Sequence, residues 1–192
     1  MKLIIASNNK HKIYEIKKIL GDRFDEILSL REAGIDHETV EDGTTFLENA
    51  TKKAREIAEI SGEASLADDS GICADALDGA PGIFSARYSG EHGNDAENNR
   101  LLVENLRDKP SKKAHYTAAV ALVFPDGRLV SAEGHLYGEI IEEPRGGGGF
   151  GYDPHFVPDG ESRTVAEMTD DEKNEISHRK KALEALLKKL SD

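Results

Sequence analysis

Apolar positions along the chain change period from one segment to the next. The run in "KLIIAS" predicts a short buried strand. "NNKHK" then interrupts it, and Ile13, Ile16, Ile19 and Leu20 recur at helical spacing, so the chain opens strand, polar loop, helix. A second helix is predicted in "EDGTTFLENATKKAREIAEISG". Thr45 and Glu48 form a capping-box pair, Phe46, Leu47, Ala50, Ala54 and Ile57 form the apolar face, and Gly62 ends it. "ASLADDSG" reads as a short strand running into an acidic turn, "DALDGAPGIFSARYSG" as a loop with local turns, and "DAENNRLLVENLRD" as a helix.

The pattern then alternates. "AHYTAAVALVFPDGRLVSAEGHLYGEII" is rich in Val, Tyr and Leu and has Asp126-Gly127 at its middle, which predicts a β-hairpin. "DEKNEISHRKKALEALLKKL" predicts one last helix, capped near Thr169, with cationic residues towards its C-terminus as the macrodipole favours. Strand, helix, helix, strand, helix, hairpin, helix is the order of an α/β protein with a mixed sheet flanked by helices.

Composition narrows the partners. A chain of 192 residues with 38% hydrophobic content forms one domain with room for two lobes. A formal net charge of -12 argues against a nucleic-acid polymer or an anionic membrane as partner. A small polyanion is still compatible, given a local basic cluster and a metal ion. Cys73 is the one cysteine, so no internal disulfide forms, which suits a reducing cytosol. "LIIA" is too short for a signal peptide or a membrane span, so a soluble cytoplasmic protein is expected.

Several clusters carry candidate chemistry. Ser7 to Lys12, "SNNKHK", lies between the first strand and the first helix, where ligands of α/β proteins gather and where helix N-termini favour anions. It has no glycine, so it is neither a dinucleotide fingerprint nor a P-loop, and a solvated turn with a helix cap explains the same residues. Asp68-Asp69 in "ADDSG" places two acids at a strand end, with Glu41 and Asp42 as a second acidic pair upstream. Adjacent carboxylates repel, so they need a cation or full solvent. Oxygen-only ligands suit Mg²⁺, which commonly takes one or two carboxylates plus phosphates. Lys173, His178 and Arg179 put basic groups on the last helix, where a solvated surface is the simpler explanation. The seven histidines show no zinc spacing, and Ser70 in "DSG" does not sit in a nucleophile elbow. "GGGGFGYDPHF", Gly146 to Phe156, sets four glycines against Phe150, Tyr152 and Asp153; a linker would continue with Ser and Gly, and a P-loop with Gly-Lys-Ser/Thr. Together these parts offer phosphate donors, a carboxylate cluster, aromatics for a base and a basic pair for base edges.

In order along the chain, "SNNKHK", "EDGTTFLENATKKA", "LADDSGICADALDGAPGIFSARYSG", "GGFGYDPHF" and "EKNEISHR" resemble the inosine triphosphate pyrophosphatases, also known as dITP/XTP or noncanonical purine NTP pyrophosphatases. The resemblance covers nearly the whole chain. The first motif is often T-x-N-x-x-K in that family; here Ser7 stands for Thr and keeps the hydroxyl, while Asn9 and Lys12 remain.

The resemblance implies a long twisted mixed sheet flanked by helices, two lobes around a central cleft, and a homodimer. It implies that Ser7, Asn8, Asn9, Lys10, His11 and Lys12 hold the triphosphate with Lys53. It implies that Glu41 and Asp69 bind Mg²⁺ with Asp68 beside them, that Asp69 activates water, and that Ser70 touches the substrate. Glu38 and Asp42 are the alternatives to Glu41. Phe150, Gly151, Tyr152 and Asp153, with Lys173, His178 and Arg179, are implied as the base pocket. The glycines would let the backbone approach the nucleotide. Phe150 would stack on the purine, and His178 and Arg179 would read its 6-oxo edge, since stacking alone accepts any base. The expected reaction is attack of water on the α-phosphorus, giving the monophosphate and pyrophosphate. A pyrophosphatase for modified pyrimidine or common nucleotides, or a nucleotide sensor without turnover, are the competing readings.

Overall fold

The computed structural model describes residues 1–191, save the side chain of Asp22. Six strands form one sheet in the order β2-β1-β3-β4-β5-β6, with β1 at Lys2–Ile5, β2 at Glu26–Ser29, β3 at Ala64–Ala74, β4 at Lys113–Val123, β5 at Leu129–Ile140 and β6 at Phe156–Pro158. β1 runs parallel to both β2 and β3, and β6 pairs antiparallel to β5, so the sheet is mixed as expected. Among the described residues five α-helices accompany it: α1 Lys10–Leu20, α2 Phe46–Ser61, α3 Asp95–Leu106, α4 Asp170–Ile176 and α5 His178–Ser191. The chain divides into two compact units, one of Met1–Asp69, Ala118–Gly134 and His178 onward, the other of Ser70–Thr117 and His135–Ser177.

Local chemistry explains most element ends. The Thr45 hydroxyl accepts the Glu48 N–H at 3.1 Å, and Gly62 closes α2 in the left-handed conformation at φ 68°. The expected reciprocal bond of the capping box is shifted by one residue, because the Glu48 carboxylate takes the Thr44 N–H at 2.6 Å. Thr169 and Glu172 form a full capping box at the start of α4. Asp126-Gly127 turns the chain between β4 and β5, with Gly127 at φ 85°.

Three expectations need correction. The single last helix is two, because Ser177 is extended at φ -61° and ψ 145° and separates α4 from α5. Asp68 and Asp69 do not end a strand in a turn: β3 continues through them to Ala74, since each carboxylate finds cationic or amide partners in place of solvent. Strands β2 and β6, with four and three residues, were not expected; they owe their conformation to pairing with β1 and β5.

The first unit has two cores because strand side chains alternate between faces. Leu3, Ile5 and Leu66 pack with Ile16 and Leu20 of α1 and Ala182, Leu183 and Leu186 of α5. Ile4, Ala6 and Ala67 pack with Ala50, Ala54 and Ile57 of α2. Burying such a side chain stabilises by about 1.5–3 kcal/mol each for the larger ones. The second unit has one core, in which Ile72, Tyr116, Leu136 and Phe156 pack with Leu102 and Leu106 of α3.

Candidate active site

The alternation of β3 decides the surroundings of the two acids. Leu66 belongs to the α1/α5 face and Ala67 to the α2 face. Asp68 therefore meets α1 and α5, and Asp69 meets α2.

On the α2 face, Lys53 Nζ lies 2.7 Å from Glu41 Oε1 and 3.5 Å from Asp69 Oδ1, bringing together three residues expected to act together. Asp42 instead pairs with Lys52 at 2.6 Å on the exposed side. Asn49, fully buried, links the same groups: its Oδ1 accepts the Gly43 N–H at 2.9 Å and its Nδ2 donates to Asp69 Oδ2 at 3.1 Å. The Gly43 donor fixes which way the amide faces. A Cβ at Gly43 would lie 2.6 Å from Asn49 Oδ1, so the loop carrying Glu41 sits on α2 without room for a side chain. Burial pushes the Asp69 carboxyl up, against the opposing pull of Lys53. Burial alone would lower Lys53, but Asp69 and Glu41 outweigh it and hold the ammonium charged.

On the other face, the Asp68 carboxylate, 3% exposed, lies 2.7 Å from Lys12 Nζ and accepts from Arg179 Nε at 3.1 Å. Arg179, 1% exposed, also donates to Glu15 of α1. Burial would raise Asp68, but Arg179 and then Lys12 hold it well below the usual carboxylate range. Arg179 opens α5 beside His178, which is also buried. Gly134 lets this helix start come close, since a Cβ there would lie 2.3 Å from the His178 carbonyl.

The Ser7–Lys12 loop is a helix entry. The Ser7 Oγ accepts the Asn9 N–H at 3.1 Å, and Asn9 Oδ1 caps α1 by accepting from His11 and Lys12 at 3.0 and 3.2 Å. Capping is thus part of what "SNNKHK" does. It also aims the α1 N-terminus outward with Asn8 and Lys10 exposed, a favourable place for an anion.

The second unit carries Ser70, Phe150, Gly151, Tyr152, Asp153 and Lys173. Asp153 organises this set. Its Oδ1 accepts from Tyr116 at 2.9 Å; its Oδ2 accepts the Phe150 N–H at 3.0 Å and Lys173 Nζ at 2.8 Å. The Lys173 ammonium stands 4.2 Å from the Phe150 ring centroid. Tyr152 is turned into the core, where its hydroxyl donates to the Ser85 carbonyl at 2.7 Å. Gly149, at φ 71°, leaves space for the acid, since a Cβ would be 2.2 Å from Asp153 Oδ2.

Four participating residues were not anticipated. Glu15 and Asn49 each sit on the buried face of a predicted helix, three and four residues from Lys12 and Lys53 respectively, and that spacing was the available signal. Tyr116, which donates to Asp153, and Asn99, whose amide donates to the Gly151 carbonyl at 2.8 Å, come from a strand and a helix distant in sequence and left no local signal.

A model of the Ham1 family matches residues 3–189. The chain belongs to the Ham1 family. A curated relative of Clostridium perfringens (strain 13 / Type A), named dITP/XTP pyrophosphatase, is 52% identical over 193 residues, covering 96% of this chain and 95% of that protein. Among solved Ham1-like structures, the nucleoside-triphosphatase / dITP/XTP pyrophosphatase of Mycobacterium abscessus is 46% identical with a TM-score of 0.81, over 97% of this chain and 99% of that one. The Ham1 protein of Staphylococcus aureus is 35% identical with a TM-score of 0.90, over 100% and 98%. The Ham1 fold is thus an α/β fold built on this mixed sheet.

Proposed function

We propose that this chain, a nucleoside-triphosphate pyrophosphatase by its family, hydrolyses noncanonical purine nucleotides: ITP, dITP, XTP and dXTP, each to the monophosphate and pyrophosphate. The convergence of Glu41 and Asp69 on Lys53 carries this reading, and the matched relatives named dITP/XTP pyrophosphatase support the purine class. The first unit's set is read as the triphosphate site. Lys12, Lys53 and the capped start of α1 supply positive charge and N–H donors for phosphate oxygens.

Two hard carboxylates fit Mg²⁺. No three His, Cys, Asp or Glu side chains converge for a metal among the described residues, so phosphate and water would complete the shell, as is usual for that ion. Glu41 and Asp69 would hold it, and when bound it offsets charge on the phosphates. Asp69 is proposed to orient the attacking water and take its proton, since burial makes its carboxylate a stronger base. Asn49 ties up Oδ2 and leaves Oδ1 towards Lys53, which fixes the direction from which Asp69 acts. Pyrophosphate leaves as the water oxygen joins the α-phosphorus. Ser70 is read as a substrate contact.

The Phe150 ring, with Lys173 above it, is read as the platform for the base, and His178 as a reader of its edge. Gly151, Tyr152 and Asp153 shape that platform. The reading also includes a homodimer, checked by light scattering, and a cytoplasmic location; no helix of the described residues is long and apolar enough to cross a membrane.

Two outcomes test it. Excess EDTA should abolish pyrophosphate release from ITP and Mg²⁺ should restore it; full turnover in EDTA would remove the metal from the mechanism. Phe150→Ala should weaken ITP, XTP and ATP by a similar factor, since a base–aromatic stack is worth about 1–3 kcal/mol whatever the base. Loss confined to one base would instead make Phe150 a selectivity residue.

A further inference from the structure

Phe150 follows four glycines, yet its own backbone polar groups and those of Gly151 all have partners. Its N–H goes to Asp153 Oδ2 at 3.0 Å, and its carbonyl accepts the Asp153 N–H at 3.3 Å. The next residue is held at both ends from α3. The Gly151 N–H donates to Asp95 Oδ2 at 2.8 Å, and the Gly151 carbonyl accepts from Asn99 Nδ2 at 2.8 Å. Asp95 and Asn99 are four residues apart, one helical turn, so they present to the same side of α3. The same Asn99 amide donates to the Asp95 carbonyl at 2.8 Å. Its orientation is thereby settled, because a flipped amide would set its oxygen against two carbonyls. A hollow of about 790 Å³ is lined by α3 residues, Asp95 and Asn99 among them, and by Gly147–Gly151, and the bonds to Gly151 tie the loop to the helix beside it.

We propose that Asp95 and Asn99 are positioning residues, which clamp Gly151 and thereby set the Phe150 ring in place before a purine arrives. The proposal rests on the reading of Phe150 as the base platform. Gly151 sits at φ 60°, a conformation that a side chain disfavours and that the two bonds stabilise. A ring fixed in advance needs no ordering at binding, so preorganisation lowers the cost of association. The ring is remote from the bond that breaks, so a loosened clamp weakens substrate and transition state alike and appears in KM with kcat unchanged.

The experiment measures kcat and KM for ITP in Asn99→Leu, Asp95→Ala and Asp95→Asn, and repeats the first two in a Phe150→Ala background. Losing either bond should raise KM about five- to tenfold with kcat within twofold, as expected for one hydrogen bond. Asp95→Asn keeps an acceptor oxygen and should behave as wild type. In the Phe150→Ala background neither substitution should add to the rise in KM. Asp95 is exposed, so its two variants test the idea even where Asn99→Leu folds poorly. If Phe150→Ala leaves KM unchanged, the platform reading fails and the clamp with it. If Phe150→Ala raises KM while Asp95→Ala does not, or if Asp95→Ala raises it equally with and without the ring, the clamp alone is refuted.

Discussion

Asp69→Asn should lower turnover of ITP by roughly 10² or more, because general-base and metal-binding contributions are each of that order. The substitution keeps the shape of the side chain. It removes the charge that faces Lys53 and the basic oxygen that would take a proton from water. Stability should change little. Lys53 keeps its 2.7 Å partner Glu41, and burial disfavours the charged Asp69, which offsets the loss of its longer 3.5 Å pairing with Lys53. Steady-state kinetics together with thermal unfolding check both halves. A variant within a few fold of wild type would move the base role to Glu41. A variant that loses turnover only because it unfolds would show the acid to be structural.

The bond between Asp69 and the Asn49 amide also shows how far local pattern reaches. The ends of α2 were legible because Thr45 and Gly62 act on their own neighbours, and the hairpin was legible from Asp126-Gly127 for the same reason. Strands β2 and β6 were not, because three or four residues show no period and the pairing partner supplies the conformation. Two adjacent aspartates disfavour a strand interior by propensity, and only the cations brought by α1, α2 and α5 reverse that. The break at Ser177 has no glycine or proline to mark it.

Within the motifs, several candidate residues bond one another. Lys53, Glu41 and Asp69 converge as a group. Asp153 and Lys173 were expected to face a base. They bond each other, and Asp153 also holds the Phe150 backbone, so much of what the motif contains is support for one ring. Asn9 likewise divides between a helix cap and an anion site. Residues that serve a reaction indirectly are invisible in a motif because their partners lie far along the chain.

Arg179 is the sharpest case, and Arg179→Met should cost about 3–5 kcal/mol of stability, the usual price of removing one member of a buried ion pair. Expected from resemblance to read an oxo group, its guanidinium bonds Asp68 through Nε and Glu15 through Nη1, all three groups buried. With Lys12 the cluster balances two cations against two carboxylates. Methionine fills similar space without charge, leaving two buried acids to one lysine. The pH dependence follows from Asp68, whose carboxyl Arg179 and Lys12 hold low against burial. A carboxyl with a lowered folded pKa gives stability that is present above its unfolded value, about 3.9, and lost as pH falls towards the folded one. The variant forfeits that contribution at neutral pH, so its deficit should be largest near pH 7 and shrink only below about pH 4, on acidification towards pH 2. Urea unfolding at both pH values measures this, and a deficit under about 1 kcal/mol at pH 7 would refute the buried cluster as a stabilising unit. Adding Asp68→Asn should restore part of the loss, because Lys12 then faces one buried acid of the cluster in place of two. The kcat/KM ratio of ITP to ATP separates the two roles: an unchanged ratio in a destabilised variant assigns Arg179 to holding Asp68 and Glu15, whereas a narrowed ratio shows that a base edge also draws on the guanidinium.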